Sequence, residues 1–84
     1  MYKVVVSNSA SKELQDLPSP AVGRIIEALR KLQTEPRPPG SKKLRGTSDL
    51  WRVRVGDYRI VYAIEDTIRV VDIRKIGHRK DIYE

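Results

Sequence analysis

Between Leu50 and Tyr62 the chain alternates at a period of two, with Trp51, Val53 and Val55 on one side and Arg52 and Arg54 on the other. That is the pattern of a strand buried on one face. Gly56-Asp57 interrupts it, and the alternation resumes with Tyr58, Ile60, Tyr62 and Ile64 on one face and Arg59, Val61 and Ala63 on the other. The two runs predict a hairpin around a Gly-Asp turn, with Arg52, Arg54 and Arg59 sharing one sheet face.

The rest of the chain supplies elements to cover the apolar face. Tyr2 to Val6 is β-branched or aromatic apart from Lys3 and predicts a first strand, and Ser7-Asn8-Ser9 offers helix-capping chemistry. Ala10, Leu14 and Leu17 then recur at helical spacing among polar residues, which predicts an amphipathic helix of about two turns that Pro18 ends. Ser19-Pro20 reads as an N-cap followed by proline at the first helical position, and Val22, Ile25, Ile26, Leu29 and Leu32 form one apolar stripe. Three prolines between Glu35 and Ser41 make that stretch a connecting loop. Thr67 to Ile76 predicts a further strand carrying Ile68, Val70, Val71 and Ile73, of uncertain register because both faces are partly apolar. Gly77 to Glu84 reads as a polar tail with one anchor, Ile82. The order β-α-α-β-β-β predicts a single α+β domain over residues 1–84, a small, mostly antiparallel sheet with a helical hairpin on one face and the other face available for function.

Charge gives that second face a direction. Lys and Arg number 17 against 11 Asp and Glu, a formal net charge of +6 that favours a polyanionic partner. Lys42, Lys43 and Arg45 lie just ahead of the arginine-bearing hairpin, where mixed signs are the ordinary surface composition. Arginine presents a planar fork that matches phosphate oxygens two at a time, so the cluster reads as a phosphate-binding surface. With no cysteine and one histidine, disulfide frameworks, thiolate metal sites and His-rich zinc sites are excluded, and no metal or cofactor is expected. No apolar run approaches the roughly 20 residues of a membrane span, and the opening MYKVVVSNSA is too short in apolar residues for a signal peptide. A soluble, cytoplasmic protein is expected.

The segments K-L-R-G, W-R-V-R-V-G-D-Y-R-I-V-Y and H-R-K-D-I-Y, in this order and at this spacing, resemble the RelE/ParE family of bacterial and archaeal toxin proteins over nearly the whole chain. The RelE-like branch of that family cleaves messenger RNA in the ribosomal A site, and the ParE-like branch poisons DNA gyrase. The resemblance therefore implies a ribosome, its mRNA and a cognate antitoxin protein as partners in the first case, and gyrase in the second. A degenerate member that only binds RNA or an antitoxin is the third possibility.

Placed on the family's motifs, Arg45 and Arg59 fall where RelE-like members contact phosphate, and Arg79 and Tyr83 fall on the C-terminal Arg and Tyr implicated in catalysis. The presence of Arg59, Arg79 and Tyr83 favours the nuclease branch. Arg52 and Arg54 stand where the best-known RelE has lysines. Because arginine stays charged, a lysine-type base does not transfer to them. The implied chemistry is attack of a ribose 2′-hydroxyl on the adjacent phosphate. Arg59 and Arg52 are candidates for stabilising the charge that develops at phosphorus, and Arg79 for the leaving oxygen. His78 and Tyr83 are alternatives for the base. Arg54, Lys42 and Lys43, with Arg45, are expected to bind RNA.

Overall fold

Ser7 starts the first helix as its sequence suggests, its Oγ accepting a hydrogen bond from the Ala10 N–H at 3.1 Å. In a computed structural model, which describes residues 1–46 and 49–80, the elements are β1 (Lys3–Val6), α1 (Asn8–Gln15), α2 (Ser19–Thr34), β2 (Lys42–Lys43), β3 (Leu50–Val55), β4 (Tyr58–Glu65) and β5 (Val70–His78). They build one sheet of order β1-β5-β4-β3-β2. β1 runs parallel to β5, and the other pairs are antiparallel. The α+β expectation holds, with both helices against one face.

Ile25, Leu29 and Leu32 of α2 and Ala10 of α1 form one apolar cluster with Ile60, Tyr62 and Ile64 of β4 and Val71, Ile73 and Ile76 of β5. Trp51, Val53 and Val55 close it from β3, as the alternation predicts. Truncating a fully buried Ile25 or Leu32 to alanine is expected to cost about 2–5 kcal/mol, much of the stability of a domain this small. Gly56, at φ 60°, takes the first position of the two-residue turn, where a type II′ hairpin reserves a left-handed conformation for glycine.

Several boundaries differ from the sequence reading. Ser19 is the first helical residue, and Pro18 holds the capping position without a side-chain bond. Ile26 is 40% exposed, whereas Ala28, on the opposite flank of the expected stripe, packs against the core and Ala21 is buried. Thr67 and Ile68 belong to the turn between β4 and β5, with Ile68 67% exposed, while Gly77 and His78 extend the last strand rather than opening a tail. β2 is an added short strand, and Leu44 packs on Val61 and Leu50 on the sheet face away from the helices. The face expected to be free is thus partly covered.

β5 also carries a bulge. Val61 pairs with Lys75 but its neighbour Tyr62 pairs with Ile73, so Arg74 is an extra residue on β5. Val71 and Ile73 face the core before it and Ile76 after it. Glu13 Oε1 of α1 accepts the Ile76 N–H at 3.0 Å just beyond the irregularity.

The proline loop is held at both ends. Tyr62 Oη donates to Pro36 O at 2.8 Å. Arg37 donates from both Nη atoms to the Asp66 carboxylate, at 2.8 and 3.3 Å, and its guanidinium lies 5.2 Å from the Trp51 ring centre. Tyr2 Oη adds a bond of 2.6 Å to Asp66. The bonds from Arg37 and then Tyr2 hold the Asp66 carboxyl below its ordinary range, and burial pushes the Tyr62 phenol up to about 12. No helix of the described residues is long and apolar enough to cross a membrane.

Candidate functional site

The strand register puts Arg54 of β3 directly opposite Arg59 of β4, beside the tight turn that joins them. Arg59 in turn pairs with Gly77 of β5, and two residues further on Arg79 donates its N–H to Asp57 O at 2.8 Å, which brings it back over the turn. The result is a cavity of about 140 Å³ lined by Arg54, Gly56, Arg59 and Arg79. Arg54 and Arg79 are exposed, whereas Arg59 is half-buried with its Nε shielded from solvent. Three forks converging on a space of that size are suited to a tetrahedral anion, since each can give two parallel hydrogen bonds to phosphate oxygens.

A fourth arginine, which the sequence reading passed over, approaches from the helical layer. Arg24 Nη1 of α2 reaches within 3.5 Å of where a Cβ on Gly56 would stand. Its only signal in the sequence was a position on the polar side of the strongest helix. Gly56 therefore supplies the turn geometry, with Arg24 in ordinary contact range of it.

Arg52 is placed differently from its expectation. It shares a side of β3 with Arg54, but it is only 4% exposed and its Nη1 reaches Gly40 O at 3.5 Å. Lys42 of β2 pairs with it and the proline loop lies against it, so an outward alternation in sequence became a buried guanidinium. With Arg54, Lys42 and residues 39–41 it lines a neighbouring groove of about 440 Å³. Lys42, Lys43, Leu44 and Arg45 line a further recess of about 170 Å³. Arg54 is common to the cradle and the groove, so the basic surface continues from one to the other.

The structure does not bring His78 to the arginines. It pairs with Tyr58, whose ring it meets edge-on at 5.6 Å between centres, and it opens into a separate recess of about 370 Å³ with Glu13 of α1 and Asp16 and Leu17 just beyond that helix. The bulge sets this arrangement: Ile76 and His78 turn toward the helices, Gly77 and Arg79 toward the cradle. Tyr83 lies outside the described residues, as does the anchor Ile82.

A small mixed sheet with two helices on one face and three arginines gathered around a cavity near the β3–β4 turn defines a basic α+β protein. The chain belongs to the family described as ParE toxin of type II toxin-antitoxin system, parDE, whose model matches residues 4–83. It is 31% identical over 86 residues to the RelE1 protein of Methanocaldococcus jannaschii, covering 99% of this chain and 96% of that protein. It is 32% identical over 83 residues to toxin RelG of Mycobacterium tuberculosis, covering 98% and 95%. Its structure is similar to the archaeal RelE-RelB complex from Pyrococcus horikoshii, with a TM-score of 0.83 and 35% identity, over 96% of this chain and 98% of that one.

Proposed function

We propose that this toxin is a ribosome-dependent mRNA endoribonuclease that inhibits translation. The observation that carries the reading is the convergence of Arg54, Arg59 and Arg79 on one phosphate-sized cavity. RelE relatives matched along nearly the whole chain support the same branch. In the reaction the 2′-oxygen of a ribose attacks the adjacent phosphorus, the bond to the 5′-oxygen breaks, and the upstream fragment keeps a 2′,3′-cyclic phosphate. Positioned cations act on the negative charge that grows at phosphorus, commonly the largest catalytic contribution. Arg59, whose Nε is shielded from solvent, takes the equatorial phosphoryl oxygens with Arg54. Arg79, on the tail side, stabilises the leaving 5′-oxygen.

The proton of the 2′-hydroxyl goes to Tyr83 or to a group of the ribosome, since His78 faces the opposite side of the sheet. Arg52, Lys42, Lys43 and Arg45 guide the flanking backbone of the message along the adjoining groove. Among the described residues no three His, Cys, Asp or Glu side chains gather where they could hold a metal ion, and the charge stabilisation assigned here to arginines needs none. Cleavage is expected to persist in chelator under conditions that keep the ribosome intact.

The cytoplasmic partner of this toxin is a cognate antitoxin, as the RelE-RelB complex of the similar structure suggests. A groove of about 590 Å³ between α2 and β3, floored by Ala28, Leu32, Val53 and Val55 and rimmed by Arg24, Lys31 and Arg54 together with Glu27 and Glu35, suits an amphipathic helix that sets acidic side chains against Arg24 and Arg54. Such a segment would neutralise the cradle's rim. A copurified partner that left RNA cleavage unchanged would contradict this.

The ParE description of the matching family favours a second reading, inhibition of DNA gyrase. Brief induction in a bacterial cell separates the two: codon-phased transcript 5′ ends are expected from the nuclease, and gyrase-linked DNA breaks from the inhibitor. Neither outcome would leave a protein that only binds RNA or an antitoxin.

A further inference from the structure

Of the three cradle arginines, only Arg79 lies beyond the end of a strand. Two hydrogen bonds hold the chain around it. Its own N–H donates to Asp57 O at 2.8 Å, and the next N–H, that of Lys80, donates to His78 Nδ1 at 3.2 Å. The second bond closes a small ring in which a side chain accepts from the N–H two residues on, the geometry that Asn and Asp use in their side-chain turns. The imidazole is itself fixed, edge-on to Tyr58 at 83° between ring planes.

We propose that His78 is a positioning residue for Arg79, a pH-sensitive latch on the underside of the sheet. The proposal rests on the reading of the cradle as the site of RNA cleavage. A neutral imidazole with a lone pair on Nδ1 holds the Lys80 N–H and keeps the turn that carries Arg79 closed over Asp57. An imidazolium has protons on both ring nitrogens and nothing to offer that N–H. Histidine is the side chain that ordinarily makes this change between pH 5 and 8. The titratable groups that share the recess with the ring are Glu13 of α1, Asp16 just beyond that helix and Tyr58 of β4, with Arg79 and Lys80 following it along the chain. Protonation of the ring takes away the acceptor of the Lys80 N–H, and Arg79 loses its second anchor.

A latch and a general base predict opposite behaviour for one substitution. Asn Oδ1 stands as many bonds from Cα as His Nδ1, so His78→Asn can rebuild the ring to Lys80 but cannot titrate or accept the 2′-hydroxyl proton. Gln places its oxygen one bond too far, and Ala has none. Single-turnover cleavage of ribosome-bound message is to be measured for the wild type and these three variants, at about pH 7.5 and about pH 5.5. Amide exchange at Lys80 is followed in parallel in the full chain.

The expected result is that His78→Asn cleaves within about threefold of wild type and keeps its rate in acid, whereas wild type slows by roughly tenfold. His78→Gln and His78→Ala should be slower by about tenfold to a hundredfold at both pH values, the scale of a misplaced catalytic group. The Lys80 amide should be protected in wild type and His78→Asn and exchange about tenfold faster in His78→Ala, as expected when a local hydrogen bond is lost. An Asn variant as slow as Ala would mean that the ring acts on RNA directly, and an Ala variant as fast as wild type would remove the latch. If wild type cleaves no message, the nuclease reading falls. The amide measurement still decides the latch, because equal Lys80 exchange in all four proteins would overturn it.

Discussion

Arg54 and Arg59 sit opposite one another across an antiparallel pair and share the 140 Å³ cradle, so without a bound anion the protein holds two like charges side by side. Such pairs cost about 0.2–1 kcal/mol. Arg54→Met keeps an unbranched apolar stem on an exposed position and removes the charge, so it should stabilise the unliganded protein. In a domain of this size 1 kcal/mol corresponds to roughly 4–8 °C in melting temperature, which puts the expected gain at about 1–8 °C. The gain should shrink toward zero in about 1 M sodium chloride, where the Debye length is only about 3 Å.

Inorganic phosphate should produce the reverse ranking. At about ten times its dissociation constant a ligand of the folded state adds roughly 1.4 kcal/mol, or about 6–11 °C, to the wild type. Arg54→Met should lose most of that rise. Thermal melts at low salt, with and without phosphate, test both halves. A variant that melts lower than wild type without phosphate, or that gains as much from phosphate, would refute the idea of a cradle strained by its own charge.

Arg59→Ala and Arg79→Ala should each reduce cleavage by about a hundred- to a thousandfold, the usual loss when one transition-state donor is removed, with circular dichroism unchanged. Deoxyribose at the cut site should stop cleavage; a deoxy substrate that is cut would sink the 2′-hydroxyl mechanism. Tyr62→Phe should cost about 1–3 kcal/mol near neutral pH by leaving Pro36 O without its donor, measurable by urea unfolding. Since the Tyr62 phenol is raised to about 12 in the folded chain, its contribution is full below pH 10 and is lost as pH rises through 12. Wild type should therefore lose about 2–3 kcal/mol more than Tyr62→Phe across that window. The Asp66 carboxyl is lowered, so its contribution is full above the ordinary carboxylate range and is lost as pH falls through its folded value. Asp66→Asn should flatten the acid side of the stability profile.

The elements that a sequence shows best are those whose signal is local. Ser7 caps α1, Ile25, Leu29 and Leu32 form a stripe, and Gly56-Asp57 closes a two-residue hairpin, each through interactions within a few residues along the chain. The pairing of Arg54 with Arg59 followed directly from that hairpin, and so did half of the cradle. What alternation does not reveal is the depth of a position. Arg52 has the same parity as Arg54, yet it became buried because Lys42 pairs beside it and the proline loop lies over it, both contacts distant in sequence. Ile26 was assigned to the core by type, but α2 is rotated so that Ala28 packs against the core and Ile26 stays exposed. His78 was held as a candidate base from the family resemblance and its side-chain chemistry, and neither distinguishes the two faces of β5.

That last distinction is settled at the extra residue in β5. Had β5 paired with β4 without a bulge, every side chain beyond Ile73 would have changed sides. Lys75 would enter the apolar layer beneath α2, Arg79 would point to α1, and His78 would be delivered to the cradle. The same residues thus admit two addresses for their C-terminal pair, and the flat register is penalised by burying a lysine where the present one buries Ile76. The make-up of the cradle therefore depends on a residue that does not line it: a charged side chain in place of Ile76 would remove the preference between the two registers and blur which of two neighbours enters the cavity.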